Sequence, residues 1–162
     1  MTPSVLVLGI GNILMSDDGL GPYVVSLLEN DPRMPPHAAL VDGGTKGLEL
    51  MPCFEGIEYA VIVDAVISAD KPPGTLVRVG HDQLLDVLGQ KMSVHEIGIV
   101  DLLNALRLLG KEPRRIELLG LVPERVDFAY GLSKTVKQRA AAVADAVCTR
   151  IEQWHTPHRN DA

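Results

Sequence analysis

Val5-Leu-Val-Leu-Gly-Ile-Gly-Asn-Ile-Leu-Met-Ser-Asp-Asp-Gly-Leu-Gly21 is the stretch whose reading decides the fold. The apolar run Val5 to Leu8 has the length and composition of a buried strand. Gly9 and Gly11 permit a tight turn with the backbone close to a neighbour. Asp17 and Asp18 follow, and a helix begins around Gly19 to Gly21. Strand, glycine turn and helix in that order are the opening of an α/β protein. Here the loop carries acid where many such proteins carry a phosphate-binding helix start.

Outward from that stretch, strands and helices alternate. Strands are expected at Ala38 to Asp42, Tyr59 to Ile67, Thr75 to Val79 and Arg115 to Val122. The Thr75 strand follows a Lys71-Pro-Pro-Gly74 turn with no helix before it, which predicts an antiparallel or edge position. Helices are expected from Gly19–Gly21 onward, over Lys46 to Cys53, after Ser93, and from Ser133. Leu20, Val24, Val25, Leu27 and Leu28 form the inward stripe of the first. Ser93-Val-His95-Glu96 has capping-box spacing, with Ile97, Val100, Leu103, Leu106 and Leu109 inward. Val136, Ala140, Val143, Val147 and Ile151 line one side of the last helix. His81 to Gln90 reads as an irregular or short helical connection. The fold class is α/β: a five-stranded, mostly parallel sheet with helices on both faces, three layers in all. One domain spans 1–154, and 155–162 is a loose tail.

The totals agree. A chain of 162 residues with 46% hydrophobic and 4% aromatic residues has an aliphatic core of one-domain size. A net charge of −6 argues against broad nucleic-acid binding. Cys53 and Cys148 are too far apart in sequence for a metal-type pair and read as idle thiols in a reducing compartment. Apolar runs are broken by Asp17, Asp18 or Asp64 well short of the ~18 residues of a membrane span. The first basic residue is Arg33, so the N-terminus has no signal-peptide charge pattern. The expectation is a cytoplasmic protein, with nothing demanding more than a monomer.

In open α/β sheets, ligands bind beyond the carboxyl ends of the strands. Asp18, Asp42 and Asp64 fall there, and His95 in the first turn of its helix has access to the same edge. Asp64 is flanked by Val61, Ile62, Val63, Val66 and Ile67. A buried carboxylate there needs hydrogen bonds, a cation or a raised pKa. Each residue also has a plain structural reading. Asp17 and Asp18 suit a helix start, Asp42-Gly-Gly-Thr45 suits an Asx turn, and Asp64 suits the strand's last position. His95 suits a polar surface. Taken together, two carboxylates and an imidazole suit a divalent first-row ion with open positions. Two carboxylates sharing a proton and activating water are the alternative.

Competing motifs fail. The third glycine of a dinucleotide fingerprint is Leu14, and the acids would repel a pyrophosphate. Gly110-Lys111 is followed by Glu112, not Ser or Thr. No Gly-x-Ser-x-Gly elbow and no His-Glu-x-x-His occur. His155 and His158 flank Pro157, a weak metal pattern.

Gly9 to Gly21, Asp42-Gly-Gly-Thr-Lys-Gly47, Val63-Asp64-Ala65, Ser93-Val-His95-Glu-Ile-Gly98 and Gly120-Leu-Val-Pro-Glu124 together resemble the hydrogenase maturation proteases. The resemblance runs in order over nearly the whole chain. Members remove a C-terminal extension from the large subunit of nickel–iron hydrogenases. It implies a twisted, largely parallel sheet of phosphorylase/hydrolase-like type. It also implies that Asp18, Asp64 and His95 stand at the positions that contact a metal. The first is Glu in some members, and Asp is about one C–C bond (~1.5 Å) shorter. Asp42 is the acid of the family's acid-Gly-Gly-Thr loop. Nickel is then carried by the precursor and sensed, with no organic cofactor. The family has been described in metallo- and in aspartic-protease terms, so Asp18, Asp42 and Asp64 are all catalytic candidates. Alternatives are a non-enzymatic nickel-dependent chaperone of the large subunit, or a related α/β peptidase with another protein target.

Overall fold

β1 (Val5–Ile10) is apolar almost throughout and buried at every position, as a strand must be when both sheet faces are covered. The computed structural model describes residues 3–89 and 94–155, and only the backbone of 94–97. A 3-10 turn, Ser16–Gly19, leads into α1 (Leu20–Leu28) and then β2 (Ala38–Gly44). A second 3-10 segment, Leu48–Phe54, precedes β3 (Tyr59–Ala65) and β4 (Leu76–Val79). α2 (Leu84–Gly89), α3 (Val94–Leu108), β5 (Arg115–Leu121) and α4 (Lys134–His155) complete the order.

The sheet order is β2-β1-β3-β5-β4. β1 runs parallel to β2 and β3, β3 runs parallel to β5, and only β4 is antiparallel. The expectation for the Thr75 strand holds for a simple reason. The turn before it holds no crossover helix, so the chain doubles back beside β5, with Gly74 N–H donating to the Val122 carbonyl at 2.8 Å.

Strand alternation divides the core. Leu6, Leu8, Ile62 and Leu118 face α2 and α3, and Val7, Val61, Val63 and Leu119 face α1 and α4. Each such aliphatic side chain contributes about 1.5–3 kcal/mol on burial. All five expected inward residues of α4 are buried. In α3 the stripe differs from its reading: Ile99, Leu102, Leu103 and Leu106 are buried, Leu109 is exposed, and the Ile97 side chain lies outside the described residues. The i, i+3, i+4, i+7 set beginning at Ile99 gives the wider apolar stripe, and the chain leaves the helix at Leu108. In α1, Leu27 turns out to solvent while its neighbours Val24, Val25 and Leu28 pack. The helix read over Lys46 to Cys53 is a 3-10 segment containing Pro52, whose ring is incompatible with a regular α-helix interior.

Both thiols are free, and burial pushes the Cys148 thiol up. At the amino end of the strands Arg150 of α4 forms an ion pair with buried Glu117 of β5, its Nε donating at 2.8 Å. The Arg150 guanidinium lies over the Trp154 ring, which stacks on Tyr59. His155, the last residue of α4, stacks on His37 at 4.8 Å; residues 156–162 of the expected tail lie outside the described residues. Among the described residues no helix is long and apolar enough to cross a membrane.

Candidate active site

The close approach anticipated for the first glycines is made within the chain itself. A Cβ at Gly9 would overlap the Gly21 carbonyl, so the first turn of α1 lies directly on β1. Gly11 has φ +132, a conformation that favours glycine. A Cβ there would overlap the Asp18 carbonyl oxygen and stand 3.6 Å from Asp64 Oδ1. Gly11 is therefore the point where residues 46 positions apart in sequence meet.

Asp18 is 5% exposed, and its Oδ2 accepts the Asn12 N–H at 2.8 Å. Asp64 is 1% exposed, and its Oδ1 accepts the Ala65 N–H at 2.8 Å. β3 continues through Ala65, paired with Leu121, so Asp64 stands inside the strand rather than capping a loop. Hydrogen bonds of this kind offset part of the desolvation cost of a carboxylate.

Asp42 reaches the same rim differently. It pairs in register with Gly9, which pairs in turn with Val63. Alternation puts Asp42 with Leu40 on the α1/α4 side, whereas Asp64 follows Ile62 to the α2/α3 side. Asp42 is exposed, and its Oδ1 accepts the Gly44 N–H at 3.0 Å, the Asx turn that the sequence allowed. The Gly44 carbonyl accepts the Gly11 N–H at 2.8 Å, which ties this loop to the notch at Gly11 where the Asp18 turn and the Asp64 carboxylate meet.

His95 is the second residue of α3, in its first turn as read from the sequence. Its side chain, and Ser93 of the expected capping box, lie outside the described residues. The backbone still locates it. Gly98, one turn further on, packs against Gly47, where an added Cβ would come within 2.7 Å of the Gly98 Cα. The start of α3 is thus clamped to the loop that begins at Asp42. Among the described residues no group of three or more His, Cys, Asp and Glu side chains could hold a metal ion.

Asp17 has a different task from Asp18. Fully buried, it accepts the N–H groups of Glu124, Arg125 and Ser133 and the Ser133 hydroxyl, at 2.7–3.1 Å. Neither aspartate caps the turn it stands in. Ser16, at φ +50 the non-glycine residue in the left-handed region among the described residues, lets the turn send the two carboxylates apart. The segment 124–133, which Asp17 anchors, escaped the sequence reading apart from the Gly120-to-Glu124 motif.

Residues 22–150 match a family model described as HycI, hydrogenase maturation protease. The hydrogenase 2 maturation protease of Escherichia coli K12 is 32% identical over 92% of this chain and 91% of its own length. The chain belongs to the hydrogenase maturation protease family. It is a hydrolase of the endopeptidase class. The solved structure of the hydrogenase maturating endopeptidase HybD from E. coli superposes with a TM-score of 0.88 at 32% identity, over 96% of this chain and 94% of that one. The HupD hydrogenase expression/formation protein of Rhodobacter capsulatus is 39% identical over 93% of this chain and 72% of its own. The five-stranded, mostly parallel sheet described above is the fold of these neighbours.

Proposed function

We propose that this maturation protease removes the C-terminal extension of a nickel–iron hydrogenase large-subunit precursor after nickel insertion, in the cytoplasm and as a monomer. Asp18, Asp64 and His95 contact the nickel that the precursor carries. The observation that carries the reading is the meeting of the Asp18 turn and the Asp64 carboxylate at Gly11, on the rim to which Gly47 clamps the start of α3. Two carboxylates and an imidazole are donors of borderline hardness. They can touch a thiolate-bound nickel and orient the adjoining peptide without extracting the metal.

In the hydrolysis, water adds to the scissile carbonyl carbon, the carbon–nitrogen bond breaks, and the amine nitrogen takes the proton that water loses. The substrate's nickel polarises the carbonyl or the water. A second reading has Asp42 take the proton as general base. Its exposure to solvent favours that role, and its position on the other side of the sheet from Asp64 disfavours it.

The test is incubation with nickel-loaded and nickel-free precursor, read by mass spectrometry. Loss of the extension from the loaded form alone is the expected result. Equal cleavage of the nickel-free form removes the sensing role. Wild-type rates in both Asp64→Asn and His95→Ala overturn the ligand set, and binding without any mass change marks a chaperone.

A further inference from the structure

Beside the notch, two segments are fastened together from opposite ends of the chain. Ala129 N–H donates to the Leu14 carbonyl at 3.0 Å, and Ser16 N–H to the Ala129 carbonyl at 2.8 Å. Met15 and Ala129 form a parallel bridge. The Ser16 hydroxyl donates to Asp127, and the Asp17 carboxylate holds both ends of the 124–133 segment. So many bonds would ordinarily serve to bury apolar side chains. Here they hold them out: Phe128 and Tyr130 are each 82% exposed, Ile13 and Leu14 each 48%, and Val126 42%. Several exposed large apolar side chains carried on one hydrogen-bonded frame point to a binding surface.

The patch borders a pocket of about 410 Å³ whose walls include Ile13, Ser16, Gly19, Tyr130, Leu132 and Lys137. Lys137 makes no ion pair among the described residues. Ser16 and Gly19 bound the same turn that carries Asp18, so the pocket and the notch lie on two sides of one turn.

We propose that this lip and pocket dock a segment of the precursor next to its scissile bond, taking a bulky apolar side chain with an acidic group close by. The apolar residue rests on Phe128, Tyr130, Ile13 and Leu14, and the carboxylate pairs with Lys137. This rests on the processing reading above for the identity of the partner. The charge argument selects the occupant. Lys137 puts a cation with no ion-pair partner among the described residues on the pocket wall beside Ile13 and Tyr130, so a segment that carries an apolar side chain and a carboxylate together satisfies both.

The test compares steady-state cleavage of nickel-loaded precursor by wild type and surface variants. Phe128→Ser with Tyr130→Ser raises KM by about tenfold and leaves kcat within about twofold, because the contact is made equally before and during the reaction. Lys137→Glu raises KM, and Lys137→Arg stays near wild type. Leu108→Ser, an equally exposed apolar residue at the far end of α3, leaves KM unchanged. Unchanged KM in the Phe128/Tyr130 variant overturns the proposal. A photo-crosslinking residue at position 128 gives a readout independent of turnover. Attachment to an apolar-acidic segment of the precursor supports docking even if no cleavage is seen, which would count against the processing reading alone. Attachment to a second copy of this chain, or no attachment to precursor, overturns the docking surface.

Discussion

Asp17 and Asp18 are neighbours in one short turn, yet they serve two different regions. Asp17 belongs to the lip, where four donors close around it and fasten the 124–133 segment. Asp18 belongs to the notch, where its carboxylate takes the Asn12 N–H and its carbonyl abuts Gly11, beside Asp64. Glu117, toward the other end of the sheet, is another buried carboxylate, and its partner Arg150 is purely architectural. What separates these sites is the source of the compensation. Glu117 is answered by a cation of its own chain and Asp17 by donors of a loop, while Asp18 and Asp64 each accept a backbone N–H at the carboxyl rim of the sheet.

That contrast breaks most sharply at Asp64. Asp64→Asn keeps the shape and removes the charge, so precursor cleavage is expected to fall about 10²–10³-fold with the melting midpoint little changed. Cleavage at wild-type rate in a mass-spectrometric time course would place Asp64 with the architectural carboxylates. Arg150→Ala should do the reverse. Stranding buried Glu117 costs about 3 kcal/mol of stability in a urea titration, with kcat of the folded enzyme unchanged. Asp17→Ala falls between them. Losing several charge-assisted bonds costs about 2–3 kcal/mol, and loosening of the lip raises KM as well. An Asp17→Ala protein with normal KM would uncouple the two regions.

The smallest effect is in pH. The Arg125 guanidinium and the Ser16 hydroxyl hold the Asp127 carboxyl below the usual carboxylate range. Its folded-state pKa is depressed, so the stabilising contribution is complete above about pH 4. It is lost as pH falls through the lower folded value. Amide exchange in residues 125–131 should therefore quicken in acid before the β1 and β3 amides respond. Simultaneous loss of protection would show the lip to be no weaker than the core.

Much of the fold was legible because its signals are local. Apolar runs placed the strands and a period-3.6 stripe the closing helix, and the turn at Lys71–Gly74 pointed to the antiparallel edge strand. The shifted stripe of α3 shows the limit, since Ile99 and Leu109 are equally apolar and only packing chooses between them. Of the site, Asp18, Asp42, Asp64 and His95 were legible as strand-end and helix-start polar residues. Their grouping was not, because pairing order and facing are properties of the sheet. Nor was the lip legible: Val126, Phe128 and Tyr130 sit in no strand or helix pattern, and their exposure is fixed by the bonds to the Ser16 turn.

The linear chain therefore determined the α/β class, the run of strands and helices, and which residue types stand at the carboxyl rim. These follow from side-chain pattern and backbone preference, which act over a few residues. Tertiary structure alone decided that Asp17 would build and Asp18 would face the notch, that Asp42 and Asp64 would leave opposite sides of the sheet, and that an apolar strip would be held in water. Those outcomes depend on contacts between segments more than a hundred residues apart, whose geometry no local preference encodes.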